Sequence, residues 1–207
     1  MRFFRTPRWF QLIWPQYKWN TKNTSKSIFL TFDDGPHPTI THWVLNELAA
    51  VNAKATFFVV GENAQNNPKT IEKIISNGHK VENHTFHHLK GWKTELLDYI
   101  DDVNKCDEYI PIRNPKYFRP PYGRITKKQG RELEKQGYKI IMWSLLTYDY
   151  DKRLNLERAL KSIISKTNPG DIIVFHDSKK AEVQLKYLLP KYLKAMQENG
   201  FNMECLP

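Results

Sequence analysis

Cysteine is nearly absent, and so are long apolar runs, repeats and low-complexity linkers. Only Cys106 and Cys205 are present. They lie far apart and outside any C-x-x-C pair, which excludes a disulfide framework and a cysteine-rich zinc site. Two buried free thiols are expected instead. No apolar stretch is long enough to span a bilayer, so no transmembrane segment is expected. Residues 1–20 mix Arg2, Arg5, Arg8 and Lys18 with seven aromatics, among them Phe3, Phe4, Trp9 and Trp14. An uninterrupted signal-peptide core is missing there, which makes cytoplasmic residence the default expectation. Peripheral contact with a membrane or cell wall stays open for such a basic, aromatic segment. Acid is also short: 22 Asp plus Glu face 32 Lys plus Arg, a net charge of +10. The basic residues are spread rather than blocked, so nucleic acid is not an expected partner, while an anionic polymer is compatible.

What is present is core material. Hydrophobic residues make up 40% and aromatics 13% of 207 residues, enough for one globular domain and too much for a disordered chain. Residues 1–26 are expected to pack as a segment on a domain formed by 27–207. Apolar strands are expected over 27–32, 55–60, 80–83, 117–118, 139–143 and 171–175. Helices are expected over 39–51, 68–77, 94–109, 125–136, 156–166 and 183–197, with Thr39 or Thr41 capping the first. The strands show no strict alternation, so both faces should be covered. This repetition implies a parallel α/β sheet or barrel. Polar residues of possible chemical use fall just after the strands, where such folds place their sites.

Five blocks carry that chemistry. In Thr31-Phe32-Asp33-Asp34-Gly35-Pro36, two adjacent carboxylates close an apolar strand. A cation on one and a base role for the other would relieve their repulsion. In His84-Thr85-Phe86-His87-His88, His84 and His88 stand at i and i+4, which on a helical turn puts both imidazoles on one face for a divalent ion. The metalloprotease pattern would have Glu where Thr85 stands, so the base must come from elsewhere, and Asp33 is the candidate. His87, His79 and His42 read as surface or supporting residues. In Arg119-Pro120-Pro121-Tyr122-Gly123, a rigid turn could aim the Tyr122 N–H at an oxyanion, and Arg119 could clamp a carboxylate. The fourth block runs from Trp143 to Tyr150 and the fifth from Ile173 to Asp177. His176 could act as general acid, steadied by Asp149 or Asp177.

In order, TFDDGP, HTFHH, RPPYG, WSLLTYDY and VFHD resemble the five motifs of the polysaccharide deacetylases, the NodB-type domain also called carbohydrate esterase family four. The resemblance runs from about residue 27 to the C-terminus and includes ATFFVVG. It implies a deformed (β/α) barrel of about seven parallel strands and one divalent ion, zinc first, with cobalt or nickel as alternatives. It implies Asp34, His84 and His88 as ligands, Asp33 as the base acting on the attacking water, and His176 as the acid. Arg119 would orient Asp33, Asp149 would tune His176, and the Tyr122 N–H would meet the oxyanion. Pro120, Tyr122, Tyr150 and Val174 are the expected substrate-binding residues, and the substrate would be an N- or O-acetylated glycan. Three positions depart from the motifs: Leu146 stands where Asp is usual, Tyr150 where Trp is usual and Val174 where Leu is usual. The departures keep two other readings in view, an amidase or deformylase acting on a non-carbohydrate amide and a catalytically weak sugar-binding module. Two histidines and a carboxylate also suit a non-haem iron oxygenase, but Asp33 and His176 argue against that.

Overall fold

The computed structural model describes residues 3–21, 26–111 and 114–207; the rest of the 1–26 segment lies outside the described residues. Eight strands form one sheet: β1 Ser27–Asp33, β2 Thr56–Val59, β3 Lys80–Asn83, β4 Lys116–Phe118, β5 Tyr138–Ile140, β6 Leu145–Leu146, β7 Ile172–His176 and β8 Asn202–Glu204. The helices are α1 Arg8–Ile13, α2 Ile40–Ala50, α3 Gly61–Asn66, α4 Pro68–Ser76, α5 Leu96–Asp107, α6 Lys127–Lys135, α7 Leu156–Lys166 and α8 Glu182–Glu198. Strand order is β5-β4-β3-β2-β1-β7-β6, with β8 added beside β1, and every pairing between these strands is parallel. The two end strands are consecutive in the chain. Residues 138–146 pair with β4 first and β7 afterwards, so one bent segment curls the sheet into a deformed barrel.

Strand alternation sorts the side chains. In β1, Ile28, Leu30 and Phe32 face outward into the main core with α2 and α8, while Phe29 joins a smaller inner cluster with Phe58 and Ile172. All seven β1 residues are buried. That is why the strand reads as a continuous apolar run: each face meets protein, not water. The same period of two puts Thr31 and Asp33 on the inner face with Phe29.

Side-chain caps start two of the helices, α6 and α7. The Thr126 hydroxyl accepts from the Gln129 N–H while the Gln129 side chain accepts from the Thr126 N–H, a capping box that starts α6 two residues later than the expected 125. Asn155 caps α7. The expected cap of α2 is different. Thr39 makes no side-chain cap bond, and Thr41 donates its hydroxyl to Asp177 instead. The strand expected over 139–143 stops at Ile140, because the chain there changes partner from β4 to β7. α1, α3, β6 and β8 were not expected; each has six residues or fewer, too short for a periodic signal.

The N-terminal residues close the seam. Thr6 and Lys18 donate backbone bonds to Ser144 and Ile140, and Met142 and Leu146 donate back to Lys18 and Phe4. Tyr17 and Trp19 are buried against α6 and β5, while Phe3, Trp9, Leu12 and Ile13 remain exposed. No helix among the described residues is long and apolar enough to cross a membrane. Both cysteines are free thiols, Cys106 buried as expected and Cys205 only half-buried, beside the C-terminus.

Candidate metal and catalytic site

All five blocks meet at the C-terminal mouth of the barrel, around a cleft of about 770 Å³. Asp33 is the last residue of β1. Asp34 follows in the left-handed region at φ 74°, which turns its carboxylate away from that of its neighbour. The Asp34 carbonyl accepts from the Asn63 amide, so α3 anchors the turn. Gly35 has no alternative there: a Cβ would fall 2.2 Å from the Asp177 carboxylate.

His84 and His88 come together, but not on a helix. Residues 84–90 form an irregular loop in which Thr85 and His88 adopt φ of 66° and 57°. The loop reverses the chain, and the two rings lie 5.1 Å apart between centroids. The shape is held from behind. The Asn83 side-chain Oδ1 accepts from the Thr85 N–H, and buried Asp102 accepts from the N–H groups of Phe86 and His87 and from the His87 ring. Asp102 was missed by sequence reasoning. Its signal was an acid on the apolar stripe of α5, beside Tyr99, Val103 and Cys106.

Asp34 Oδ1 is 3.1 Å from His88 Nε2 and 3.7 Å from His84 Nε2. One ligand atom from each residue lies within 4.8 Å of the others, the geometry of a candidate metal site. The donor chemistry fits a divalent ion. His84 is buried, which pushes its pKa down to about 4 and keeps the ring neutral. Its Nδ1 lies 2.7 Å from the Arg119 carbonyl. A carbonyl can only accept, so Nδ1 carries the proton and the Nε2 lone pair is left for a ligand role.

Asp33 has a different environment. Fully buried Arg119 gives one N–H to Asp33 Oδ1 at 2.7 Å and one to the Thr31 hydroxyl at 2.7 Å. Its remaining N–H groups reach the carbonyls of Ile141 and Met142, inside the gap where the barrel segment changes partner. The guanidinium also lies 4.1 Å above the Phe58 ring. Burial disfavours the charge, and Asp33 opposes that penalty.

On the neighbouring strand β7, His176 is the register partner of Asp33. Asp149, buried, holds it twice, from Oδ1 to the ring Nδ1 at 2.7 Å and from Oδ2 to the His176 N–H at 2.8 Å. Burial would lower the His176 pKa, but Asp149, with lesser help from Asp34 and Asp33, raises it to about 9. Of the two carboxylates considered for this role, only Asp149 reaches it. Asp177 points the other way, onto Thr41 and Gly35, and burial pushes its pKa up to about 7.

Tyr122 sits at φ 60° with its ring exposed, 4.7 Å from the His88 ring. Val174, Leu146, Trp143 and Tyr150 line the cleft beside His176. Pro120 is buried beneath the turn and is not among the cleft residues.

A parallel α/β barrel with two imidazoles, paired carboxylates and a carboxylate-held histidine at its mouth has the donor set of a candidate metal site beside a candidate acid–base pair. The chain belongs to the polysaccharide deacetylase family, which residues 20–141 match. It is 30% identical over 189 residues to a peptidoglycan-N-acetylglucosamine deacetylase of Bacillus cereus, covering 88% of this chain and 87% of that one. It is 32% identical over 202 residues to a chitooligosaccharide deacetylase of Bradyrhizobium sp., covering 88% and 90%. A solved peptidoglycan N-acetylglucosamine deacetylase, in complex with 4-naphthalen-1-yl-N-oxidanyl-benzamide, superposes with a TM-score of 0.88 at 29% identity, over 98% and 95% of the two chains.

Proposed function

We propose that this chain removes acetyl groups from N-acetylglucosamine units of a glycan, using one divalent ion. The observation that carries the reading is the unequal treatment of the two adjacent carboxylates. Asp34 lies within reach of two imidazole nitrogens, while Asp33 accepts from Arg119 and stands in register with His176. A purely structural acid pair would not need both arrangements.

Asp34, His84 and His88 would hold the ion, zinc in the first place, with cobalt or nickel able to substitute. When bound, it supplies Lewis-acid polarisation of the acyl oxygen and makes water more acidic. Asp33 takes the proton from the water that attacks the acetyl carbon. The Arg119 contact fixes one Asp33 oxygen and leaves the other for that proton. The Tyr122 N–H, held on the rigid Pro-Pro turn, stabilises the negative oxygen that develops. His176 then donates its proton to the leaving nitrogen, so acetate and a free amine result. Leu146, Val174, Trp143 and Tyr150 offer an apolar wall for the acetyl methyl. The Leu, Val and Tyr departures from the motifs therefore keep this wall apolar or aromatic.

Acetate release from acetylated glycans, with zinc, cobalt or nickel added, tests the reaction. Formamides and cyclic amides serve as the comparison set; turnover of those alone would favour the non-carbohydrate amidase reading, and tight glycan binding without acetate the binding-module reading. Metal analysis tests the ligands. Wild type is expected to carry about one ion per chain, and His84→Ala to lose it together with activity. Equal metal in both would overturn the ligand assignment.

The pH profile tests the acid. His176 must be protonated to act, and its raised pKa keeps it so until about 9. The rate is therefore present below that value and lost as pH rises through it. An ion on Asp34 offsets that carboxylate's share of the shift and leaves the Asp149 contact as the main support. Asp149→Asn is expected to move the alkaline limb down toward the ordinary imidazole value of about 6.5. An unmoved limb would assign it to another group.

A further inference from the structure

We propose that the cleft selects an anionic glycan, an acetylated chain carrying carboxylates on the units beside the one being cut. This rests on the deacetylase reading above and specifies its substrate class. Four cations line the cleft: Lys90 and Arg124 on the His88 side, Lys179 and Lys180 near His176. Lys179 is engaged by Glu182. Lys90, Arg124 and Lys180 have no carboxylate within ion-pair reach among the described residues. They are steadied by aromatic faces instead. Lys90 Nζ stands 4.7 Å from the Tyr122 ring centre, Lys180 Nζ 5.2 Å from that of Tyr150, and Arg124 Cζ 5.3 Å from that of Trp92. A ring face orients a cation without cancelling its charge.

The position of these groups matters as much as their sign. The Tyr122 ring abuts His88 and the Tyr150 ring abuts His176, at 4.7 and 5.0 Å. Lys90 and Lys180 therefore sit one ring outward from the reacting groups on both sides, where the neighbouring units of a bound chain would lie. Acids do not balance them. Of the carboxylates lining the cleft, Asp33 is committed to Arg119 and Asp34 to the imidazoles, which leaves Glu62. Leu146, paired with Val174 on the wall, stands where the related motif usually carries an Asp, so that wall is also without negative charge. The product reinforces the choice. Deacetylation turns a neutral amide into an ammonium, which a cationic cleft repels unless carboxylates on the same chain compensate it.

The test compares three acetylated chains of equal length, using the zinc-loaded full chain. The first is a peptide-free peptidoglycan strand, in which N-acetylglucosamine alternates with a lactyl-bearing sugar. The second is the same strand with its carboxylates converted to carboxamides. The third is an acetylated chitooligosaccharide. At about 0.01 M salt, kcat/KM for the carboxylate strand is expected to exceed that for the carboxamide strand about tenfold, as three exposed ion pairs would supply. The advantage should collapse by about 1 M salt, where the screening length falls to about 3 Å. The triple variant Lys90→Gln, Arg124→Gln, Lys180→Gln should bring the carboxylate-to-carboxamide ratio close to about 1. Equal, salt-insensitive rates on the two strands by the wild type would overturn the proposal while leaving the deacetylase reading intact, and this needs no variant to fold. Acetate from none of the three would overturn both.

Discussion

Replacing Asp33 with Asn is expected to lower kcat on the order of 10³-fold while the protein keeps its ion. The amide has nearly the shape of the carboxylate, and its oxygen can still accept the Arg119 N–H that now reaches Asp33 Oδ1. What it cannot do is take a proton from water. Because Asp33 is held on the inner face of β1 and Asp34 turns away at φ 74°, the substitution removes the base without disturbing the Asp34, His84 and His88 set. Acetate release measured beside metal content decides the matter. Loss of the ion together with the rate would make Asp33 a ligand, and an unchanged rate would leave it a structural acid.

Arg119→Met should have the largest effect on stability, and it should remove activity as well. The side chain is fully buried and serves four acceptors: Thr31 Oγ1, Asp33 Oδ1 and the carbonyls of Ile141 and Met142. Methionine fills much of the volume but leaves a buried carboxylate and two carbonyls without donors. Removing one partner of a buried pair costs about 3–5 kcal/mol. For a chain of this size that corresponds to a fall in Tm of roughly 10 °C. Arg119→Lys should recover part of the loss, since one ammonium cannot reproduce the planar fork that spans β1 and the barrel seam. Thermal unfolding of the three proteins checks this. A loss below about 1 kcal/mol for the methionine variant would mean that the pair contributes little beyond what an apolar filler supplies.

Much of the site was legible in the residues. Apolar runs ending in polar blocks marked strands whose C-terminal ends would gather the chemistry. The Asp-Asp pair demanded a cation or a proton, and with Thr rather than Glu at position 85, Asp33 was the acid left to serve as base. The proximity of His84 and His88 was anticipated for the wrong local reason. His84 and His88 converge through a loop with two left-handed residues, held by Asn83 at the end of β3 and by Asp102 from α5. A helical spacing rule could name the residues but not the path between them. Short elements such as β6 and β8 were invisible because two or three residues carry no period.

From its sequence alone, then, this protein's chemical inventory could be read: which acids and imidazoles stand at strand ends, and which motif positions depart from the usual residues. Tertiary structure decided which of them work together. Successive residues of a strand face opposite sides. Inward-facing His176 could therefore meet only Asp149 at the mouth, while Asp177 was turned outward onto Thr41 and Gly35. The same register set Asp33 beside His176, and the gap in the barrel segment gave Arg119 its acceptors. Those choices join residues of separate elements, 22 positions apart for Arg119 and Ile141, 27 for Asp149 and His176 and 136 for Thr41 and Asp177, which local spacing does not encode.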